Sequence, residues 1–169
     1  MIDLNQPGGA IISECKQYRY ALWRTWDKSL PRVMFICLNP SVADATLEDP
    51  TLRRCMDFAR RWGFGGVCTG NLFAFRATEP EVLRVANNPV GSRNNYWLKR
   101  LAADAQLVVA AWGNDGSFMA RSTEVRQMFA DLHYLKINRS GEPAHPLYLR
   151  KSLKPLLMAQ NPPKPSGGV

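Results

Sequence analysis

The sequence predicts an α/β fold with a central four-stranded, mainly parallel sheet, and three features of the chain support this. Short apolar runs recur along it and alternate with segments of helical period. Proline, glycine or asparagine flanks these runs, as is typical of strands that are buried on both faces of a sheet. The helical segments are long enough for crossovers between parallel strands. Before the first run, the aromatic residues 18–26 predict an antiparallel hairpin or edge strand.

The predicted elements follow one another along a single domain of residues 1–158. The four strands of the parallel sheet are expected at 33–38, 66–71, 107–112 and 133–137. Helices are expected from Pro50, with Asp49 as its cap, from Pro80, over 93–103 with Ser92 as its cap, and over 117–131. Residues 147–157 are predicted to be helical or irregular. The Pro- and Gly-rich tail, 159–169, lacks apolar residues to bury and is expected to be disordered.

The chain is basic, and its cysteine pattern favours a reducing compartment. Its 22 Lys and Arg against 14 Asp and Glu give a net charge of +8, which favours a nucleic-acid partner, although a solvated basic surface is the alternative. The chain has no apolar run of membrane-spanning length, and its N-terminus does not resemble a signal peptide. We therefore expect a cytoplasmic monomer without membrane contact. The four widely spaced cysteines are expected to be reduced structural thiols rather than metal ligands.

Polar residues or glycine follow the predicted strands where they end. Asn39 follows the first strand, Asn71 ends the second, Trp112 and a glycine end the third, and the fourth leads towards His145. The carboxyl ends of parallel strands meet at one edge of a sheet, where ligands of open α/β folds bind. The sequence therefore predicts a single site assembled from these strand ends.

The residue types at these positions suggest contacts with a nucleobase. The amide of Asn39 is able to hold a water or a ligand carbonyl, or simply to cap its loop. Asn71 offers a donor and an acceptor together, which suits a base edge, and Phe73 or Phe75 would stack on the base. The alternative is that both phenylalanines belong to the core and that Asn71 is a turn residue.

The region around His145 suggests a second group of functional residues. A histidine there is suited to stabilise a developing anion or to hold a carbonyl oxygen. The residues that follow it suggest an apolar wedge and contacts with phosphates, or a loop that packs its leucines under the sheet: Leu147, Tyr148, Leu149, Arg150 and Lys151. One of three acids after Asn39 is a candidate general base: Asp44, Glu48 or Asp49.

Taken in chain order, these motifs resemble those of the uracil-DNA glycosylase superfamily. Residues 38–41, Leu-Asn-Pro-Ser, are similar to its first motif, and residues 145–147, His-Pro-Leu, are similar to its second. Asn71, with Arg76 downstream, resembles the strand whose asparagine reads the uracil edge. Residues 108–113 resemble the strand that often ends in Trp-Gly. As a whole, the chain most closely resembles the family called DUF1643, through these motifs and Asp-Pro-Thr at 49–51.

The resemblance implies a three-layer, uracil-DNA glycosylase-like sandwich and a base-excising activity. A target base would be flipped into the pocket, where Asn71 would bind its edge beside Phe73, Phe75 and Trp112. Asn39 would position a water beneath the anomeric carbon. His145 would donate a hydrogen bond to the carbonyl oxygen that gains charge as the base leaves.

The resemblance also assigns contacts with the nucleic-acid backbone, DNA being the expected partner. Leu147, Tyr148 or Leu149 would fill the gap in the base stack, and four polar residues would lie along the backbone: Ser41, Arg76, Arg150 and Lys151. No metal or organic cofactor is implied. Two alternatives stay open, a non-catalytic reader of a modified base and an enzyme that acts on free nucleosides or nucleotides.

Overall fold

The computed structural model describes residues 2–41 and 50–159, and within these ranges the strands form one seven-stranded sheet in the order β1-β2-β4-β3-β5-β6-β7. Asp44, Glu48, Asp49 and residues 160–169 of the predicted tail lie outside the described residues. The elements run along the chain as β1 (Gly8–Ile12), β2 (Arg19–Thr25), β3 (Arg32–Cys37), α1 (Pro50–Arg61), β4 (Gly66–Asn71), α2 (Pro80–Val85), α3 (Asn94–Ala103), β5 (Leu107–Ala110), α4 (Arg121–Met128), β6 (Leu132–Tyr134) and β7 (Leu156–Leu157), with 3-10 segments at Asn114–Ala120 and Pro146–Tyr148.

The centre of the sheet is the predicted set of four parallel strands, β4-β3-β5-β6. Val33 of β3 pairs with Val67 on one side and with Leu107 on the other. The chain therefore leaves β3 towards β4 and later returns to its opposite side at β5. Such a reversal of direction opens a crevice at the carboxyl ends of the two strands.

Three antiparallel strands extend this centre, whereas the sequence predicts only an N-terminal antiparallel hairpin or edge strand beside it. The segment predicted at 18–26 forms one strand, β2, which pairs antiparallel with β1 on one side and with β4 on the other and is therefore not an edge strand. Its hairpin partner β1 lies before the predicted segment. β7 pairs with β6 through Leu156 and Leu157, where a helical or irregular segment is predicted. Both leucines are more than half exposed. A strand of two exposed residues that pairs through its main chain shows no alternation of apolar and polar residues. Its sequence pattern therefore does not predict it.

Helices cover both faces of the parallel strands, which accounts for the continuous apolar runs. Phe35 belongs to a cluster with the buried residues of α1, whereas its neighbour Met34 belongs to a second cluster with Leu98 and Leu101 of α3. Successive side chains of a strand point to opposite faces, so every residue of β3 is buried. The α/β class is confirmed. Among the described residues, no helix has both the length and the apolar character needed to cross a bilayer.

Two predicted helices begin later than the sequence suggests. The helix expected over 117–131 is confined to α4, because Met119 and Ala120 adopt positive φ angles of 54° each, outside the helical region. The helix expected from residue 93 begins at Asn94, with Arg93 at its N-cap and no side-chain capping bond, so Ser92 is not its cap.

The four cysteines are free thiols: Cys15 is exposed, and Cys37, Cys55 and Cys68 are buried. Burial raises the pKa of Cys68 to about 12. A hydrogen bond with Ser13, whose Oγ lies 3.3 Å from Sγ, is the main cause that lowers the pKa of Cys15. Among the described residues, no group of three or more His, Cys, Asp or Glu is arranged to hold a metal ion.

We expect one of the four thiols, Cys15, to react quickly with a thiol reagent in the native protein. Thiolate is the reactive form, so its lowered pKa extends this reaction to lower pH than for an unperturbed cysteine. Stopped-flow labelling across pH measures the effect. Cys15→Ser should remove the fast phase, and Ser13→Ala should move its pH midpoint upwards. A fast phase that survives Cys15→Ser would show that a buried thiol is accessible.

Candidate functional site

A cleft of about 390 Å³ lies at the carboxyl ends of the central strands. It occupies the point where the strand order reverses, between β3 and β5, and its volume is that of a small-ligand pocket. Its walls come from β2, β3, β4, the start of α1 and the loops after β5 and β6. The lining residues are Arg19, Leu22, Cys37, Leu38, Asn39, Ser41, Thr51, Leu52, Thr69, Asn71, Trp112, Gly113, Asn114, Asp115 and His145.

The Asn39 side chain is held in one orientation by two backbone carbonyls. Its Nδ2 donates to the carbonyl oxygen of Ala77 at 2.8 Å and to that of Pro40 at 3.1 Å. Only the NH₂ end of an amide is able to donate to carbonyl oxygens, so the partners fix which end is nitrogen. Oδ1 accepts no hydrogen bond from the described residues. Asn39 therefore brings a fixed acceptor to the cleft, suited to a water or another donor.

Asn71 supplies an amide that the described part of the chain leaves without a hydrogen bond. The residue is 3% exposed and lines the cleft, yet its side chain makes no hydrogen bond with the described residues. A buried amide without partners is unfavourable unless a ligand or water satisfies it. Its donor and acceptor are therefore both available to a ligand in the cleft.

The backbone that carries Asn71 is clamped from below by two buried side chains. Nδ2 of Asn94 donates to the carbonyls of Asn71, at 2.8 Å, and Leu72, at 3.0 Å. Nε of Arg121 donates to the same Leu72 carbonyl at 2.8 Å. The Leu72 N–H bonds the carbonyl of Cys37 on the neighbouring strand. These bonds fix the ends of β4 and β3 relative to each other and thereby the positions of their two asparagines.

Trp112 forms a rigid wall of the cleft. Its Nε1 donates to Oε2 of the buried Glu142 at 2.6 Å, and Oγ of Ser122 donates to the other oxygen of that carboxylate at 2.8 Å. The backbone of Gly116 also packs closely against the ring, since a Cβ there would lie 2.2 Å from the indole Cδ1. The ring is thus held by a hydrogen bond and by close backbone packing, with 1% of Trp112 exposed.

His145 lines the cleft from the loop that precedes the second 3-10 segment. Its Nδ1 accepts a hydrogen bond from the backbone N–H of Leu147 at 3.3 Å. An accepting Nδ1 favours the neutral tautomer with its proton on Nε2, so that Nε2 is a donor. Beside it, Gly113 has a φ of 78°, a backbone conformation that glycine adopts without strain.

Three predicted base-contacting or backbone-contacting residues do not line the cleft. Phe73 is fully buried in the core, 5.5 Å from the ring of Phe118, and the expectation that it stacks on a base is corrected by this placement. Phe75 packs edge-on against Tyr18, with ring centroids 5.7 Å apart. Arg76 donates to the carbonyl of Lys16 at 3.1 Å. The apolar pattern does not separate core from stacking aromatics, since both roles favour the same residue types.

The predicted wedge lies beside α1 rather than in the cleft. Tyr148 is 88% exposed and Leu147 is half-buried, but Leu149 is buried in the core, so it is not available as a wedge. Arg150 is exposed, and Nζ of Lys151 lies 3.9 Å from Asp57 of α1.

Arg54 of α1 holds this segment in place. Its guanidinium donates to the carbonyls of Pro146, at 3.4 Å, and Leu149. The position of His145 therefore depends on α1, which begins after residues 42–49 in the chain. Of the predicted backbone-contacting residues, Ser41 is the one placed in the cleft wall.

The lining residues that the sequence analysis did not assign to the site include three that are polar or charged: Arg19, Thr69 and Asp115. Thr69 lies within a buried strand, and Asp115 forms an ion pair with Arg84 at 3.3 Å. Arg19 did carry a signal, because an arginine inside an aromatic and apolar strand is unusual unless it is partnered or functional.

The sheet and the cleft define an α/β protein with a ligand-sized cleft at the switch point of its parallel strands. The chain belongs to the family described as "Protein of unknown function (DUF1643)", whose model matches residues 19–147, more than half of the sequence. No curated protein and no solved structure matches the chain.

Proposed function

We propose that this protein is a uracil-DNA glycosylase-like hydrolase that binds nucleic acid and excises a damaged or modified base. One observation carries the proposal: Asn39, Asn71, Trp112 and His145, which come from separate strand ends, line one cleft. Each occupies the position in chain order that resembles a motif of that superfamily. The three-layer, glycosylase-like arrangement of sheet and helices is part of the same proposal.

The base would enter the cleft as a flipped nucleotide. Asn71 would bind its Watson–Crick edge through both ends of its amide, which lacks partners among the described residues. Trp112 would form one wall of the base pocket, held in place by Glu142. A pre-fixed wall and a buried amide favour a planar, polar ligand, because an apolar ligand would leave the amide unsatisfied.

Hydrolysis would follow from the fixed orientations of Asn39 and His145. Oδ1 of Asn39 would accept a hydrogen bond from a water and place it beneath the anomeric carbon. An amide is a weak base, which suffices where the transition state resembles an oxocarbenium ion and the water needs positioning more than deprotonation. Nε2–H of His145 would donate to the base carbonyl oxygen on which charge develops.

Contacts outside the cleft would hold the nucleic acid. Ser41 lines the cleft, and Tyr148, Arg150 and Lys151 are exposed on the segment that follows His145. The net charge of +8 favours binding to phosphates. Neutralising Arg150 and Lys151 would weaken binding to an oligonucleotide and reduce its salt dependence, but would have little effect on a free nucleotide.

The test is base release from labelled single- and double-stranded oligonucleotides that carry uracil, mismatched thymine, hypoxanthine, xanthine or 5-modified pyrimidines. We expect release from one of them, visible as alkali-labile sites. Asn39→Ala and His145→Ala should lower kcat/KM by about 100-fold or more. Matched controls are Asn87→Ala, an exposed asparagine, and His133→Ala, the other histidine of the chain, which contacts the carbonyl of Asp131 outside the cleft.

Two other outcomes would contradict excision. Binding to one modified base with no turnover, and with affinity unchanged in Asn39→Ala, would identify a reader. Turnover of free nucleotides alone would identify a nucleotide-level enzyme. Because Asn39 also bonds two backbone carbonyls, thermal melting of Asn39→Ala accompanies the assay.

A further inference from the structure

A β-bulge places Arg19 in the cleft. On the β1–β2 ladder, Ile11 pairs with Ala21 and Ile12 pairs with Arg19, so Tyr20 is the extra residue of β2. Arg19 and Leu22 are three positions apart and would face opposite sides of a regular strand. Both nevertheless line the cleft. Bulges re-aim side chains and are frequent beside functional sites.

The Arg19 side chain is a buried cation in the wall of the cleft. Arg19 is 3% exposed. Among the described lining residues the sole carboxylate is Asp115, which is half exposed and pairs with Arg84 at 3.3 Å. Arg19 also interacts with another part of the protein. A guanidinium has five N–H donors in a fixed fork, so a buried arginine is able to bind a ligand in addition to a protein partner.

Arg19 lies next to the amide that we assign to the base. Leu22 of β2 pairs with Thr69 of β4 in antiparallel register. Asn71 lies two residues after Thr69 on β4. Because the two strands are antiparallel, Arg19, which precedes Leu22 on β2, lies in the same direction from this pair. The backbone N–H of Arg19 donates to the carbonyl of Ala74. A cation and an amide that makes no hydrogen bond with the described residues therefore lie on adjacent strands and line the same cleft.

We infer that Arg19 is a phosphate-binding residue and that the cleft takes the base together with a phosphate of the same nucleotide. The inference rests on the proposed function for the base at Asn71. A guanidinium fork matches two phosphate oxygens, and charge-assisted bonds of this kind are strongest where water is excluded. The phosphate belongs either to a free nucleoside monophosphate or to the backbone of a nucleic acid, and both present the same oxygens.

The test compares the full chain's affinity for nucleoside monophosphates and for the matching nucleosides by calorimetry, over the bases of the oligonucleotide panel. We expect each recognised monophosphate to bind about tenfold or more tightly than its nucleoside. Arg19→Gln should remove that preference, Arg19→Lys should keep part of it, and Arg139→Gln, an exposed arginine outside the cleft, should leave it unchanged. A trinucleotide without terminal phosphates that competes for the same site would identify the backbone as the source.

Equal affinity for nucleoside and monophosphate in the wild type would overturn the inference, and so would a preference that persists in Arg19→Gln. Binding of neither ligand, with inorganic phosphate also failing to bind, would overturn it as well. If Arg19→Gln does not fold, the wild-type affinities for monophosphate and nucleoside, together with those of Arg19→Lys, still test the inference. Failure of base release with an intact phosphate preference would reject excision alone, whereas base release indifferent to Arg19 would reject the phosphate site alone.

Discussion

Replacing Asn71 with leucine is expected to abolish ligand recognition while leaving the fold intact. The side chain lines the cleft but makes no hydrogen bond with the described residues, so the change removes no bond within that part of the chain. The leucine side chain has nearly the same shape as that of asparagine. Removing a buried amide that lacks partners among the described residues is favourable, and this gain offsets the free energy lost with any water bound to the amide. We expect kcat/KM, or affinity for the recognised base, to fall by about 100-fold or more. The free energy of unfolding should change by less than about 1.5 kcal/mol.

Base release or calorimetry measures the first quantity, and urea unfolding measures the second. Asn87→Leu is the matched control, because Asn87 is exposed and lies outside the cleft. A loss of stability above about 2 kcal/mol in Asn71→Leu would instead mark the amide as structural. Unchanged affinity for the recognised base would remove Asn71 from the proposed site.

Truncating Arg121 to alanine is expected to destabilise the protein by about 3–5 kcal/mol, a large part of the stability of a domain of this size. Arg121 is 1% exposed, and its guanidinium donates to the carbonyl of Leu72 at 2.8 Å and to Oδ1 of Asn95 at 2.6 Å. Burial lowers the pKa of Arg121, and its bond with Glu124 opposes that effect. Alanine would leave a cavity and would remove both the bond to the Leu72 carbonyl and the bond to Asn95.

Urea unfolding of three variants separates these causes. Glu124→Ala removes a partner that is 55% exposed and should cost less than about 1 kcal/mol. Arg139→Ala is the matched control on the surface, with an expected change within about 0.5 kcal/mol. If Arg121→Ala costs no more than Glu124→Ala, the buried bonds to the end of β4 contribute little, and the clamp beneath Asn71 is not what holds that strand end.

The parallel centre of the sheet was predictable because local pattern and tertiary environment agree there. Strands covered by helices on both faces must be apolar throughout, and the residues of β3 and β4 are all buried. The ends of these strands are equally predictable from the sequence, since asparagine and glycine are typical of the points where the chain turns. The expectation that Asn39, Asn71, Trp112 and His145 approach one another needs only that parallel strands end at a common edge.

Other features depend on contacts that no local pattern encodes. Phe73 and Leu149 are buried because of what packs against them, while the sequence around them is equally compatible with an exposed stacking or wedge residue. β7 exists because the backbone of β6 offers it hydrogen bonds. The helix expected over 117–131 starts at Arg121 because the two residues before it adopt left-handed conformations.

The sequence by itself determined the α/β class, the four parallel strands and the strand ends that carry Asn39, Asn71 and Trp112, because burial and turn chemistry at these positions are local. Only the tertiary structure decided how Asn39 is oriented, since its partner Ala77 is distant along the chain. It alone also decided that Arg19 faces the cleft, because a single extra residue in a ladder reverses the direction of a side chain without changing the pattern of residue types.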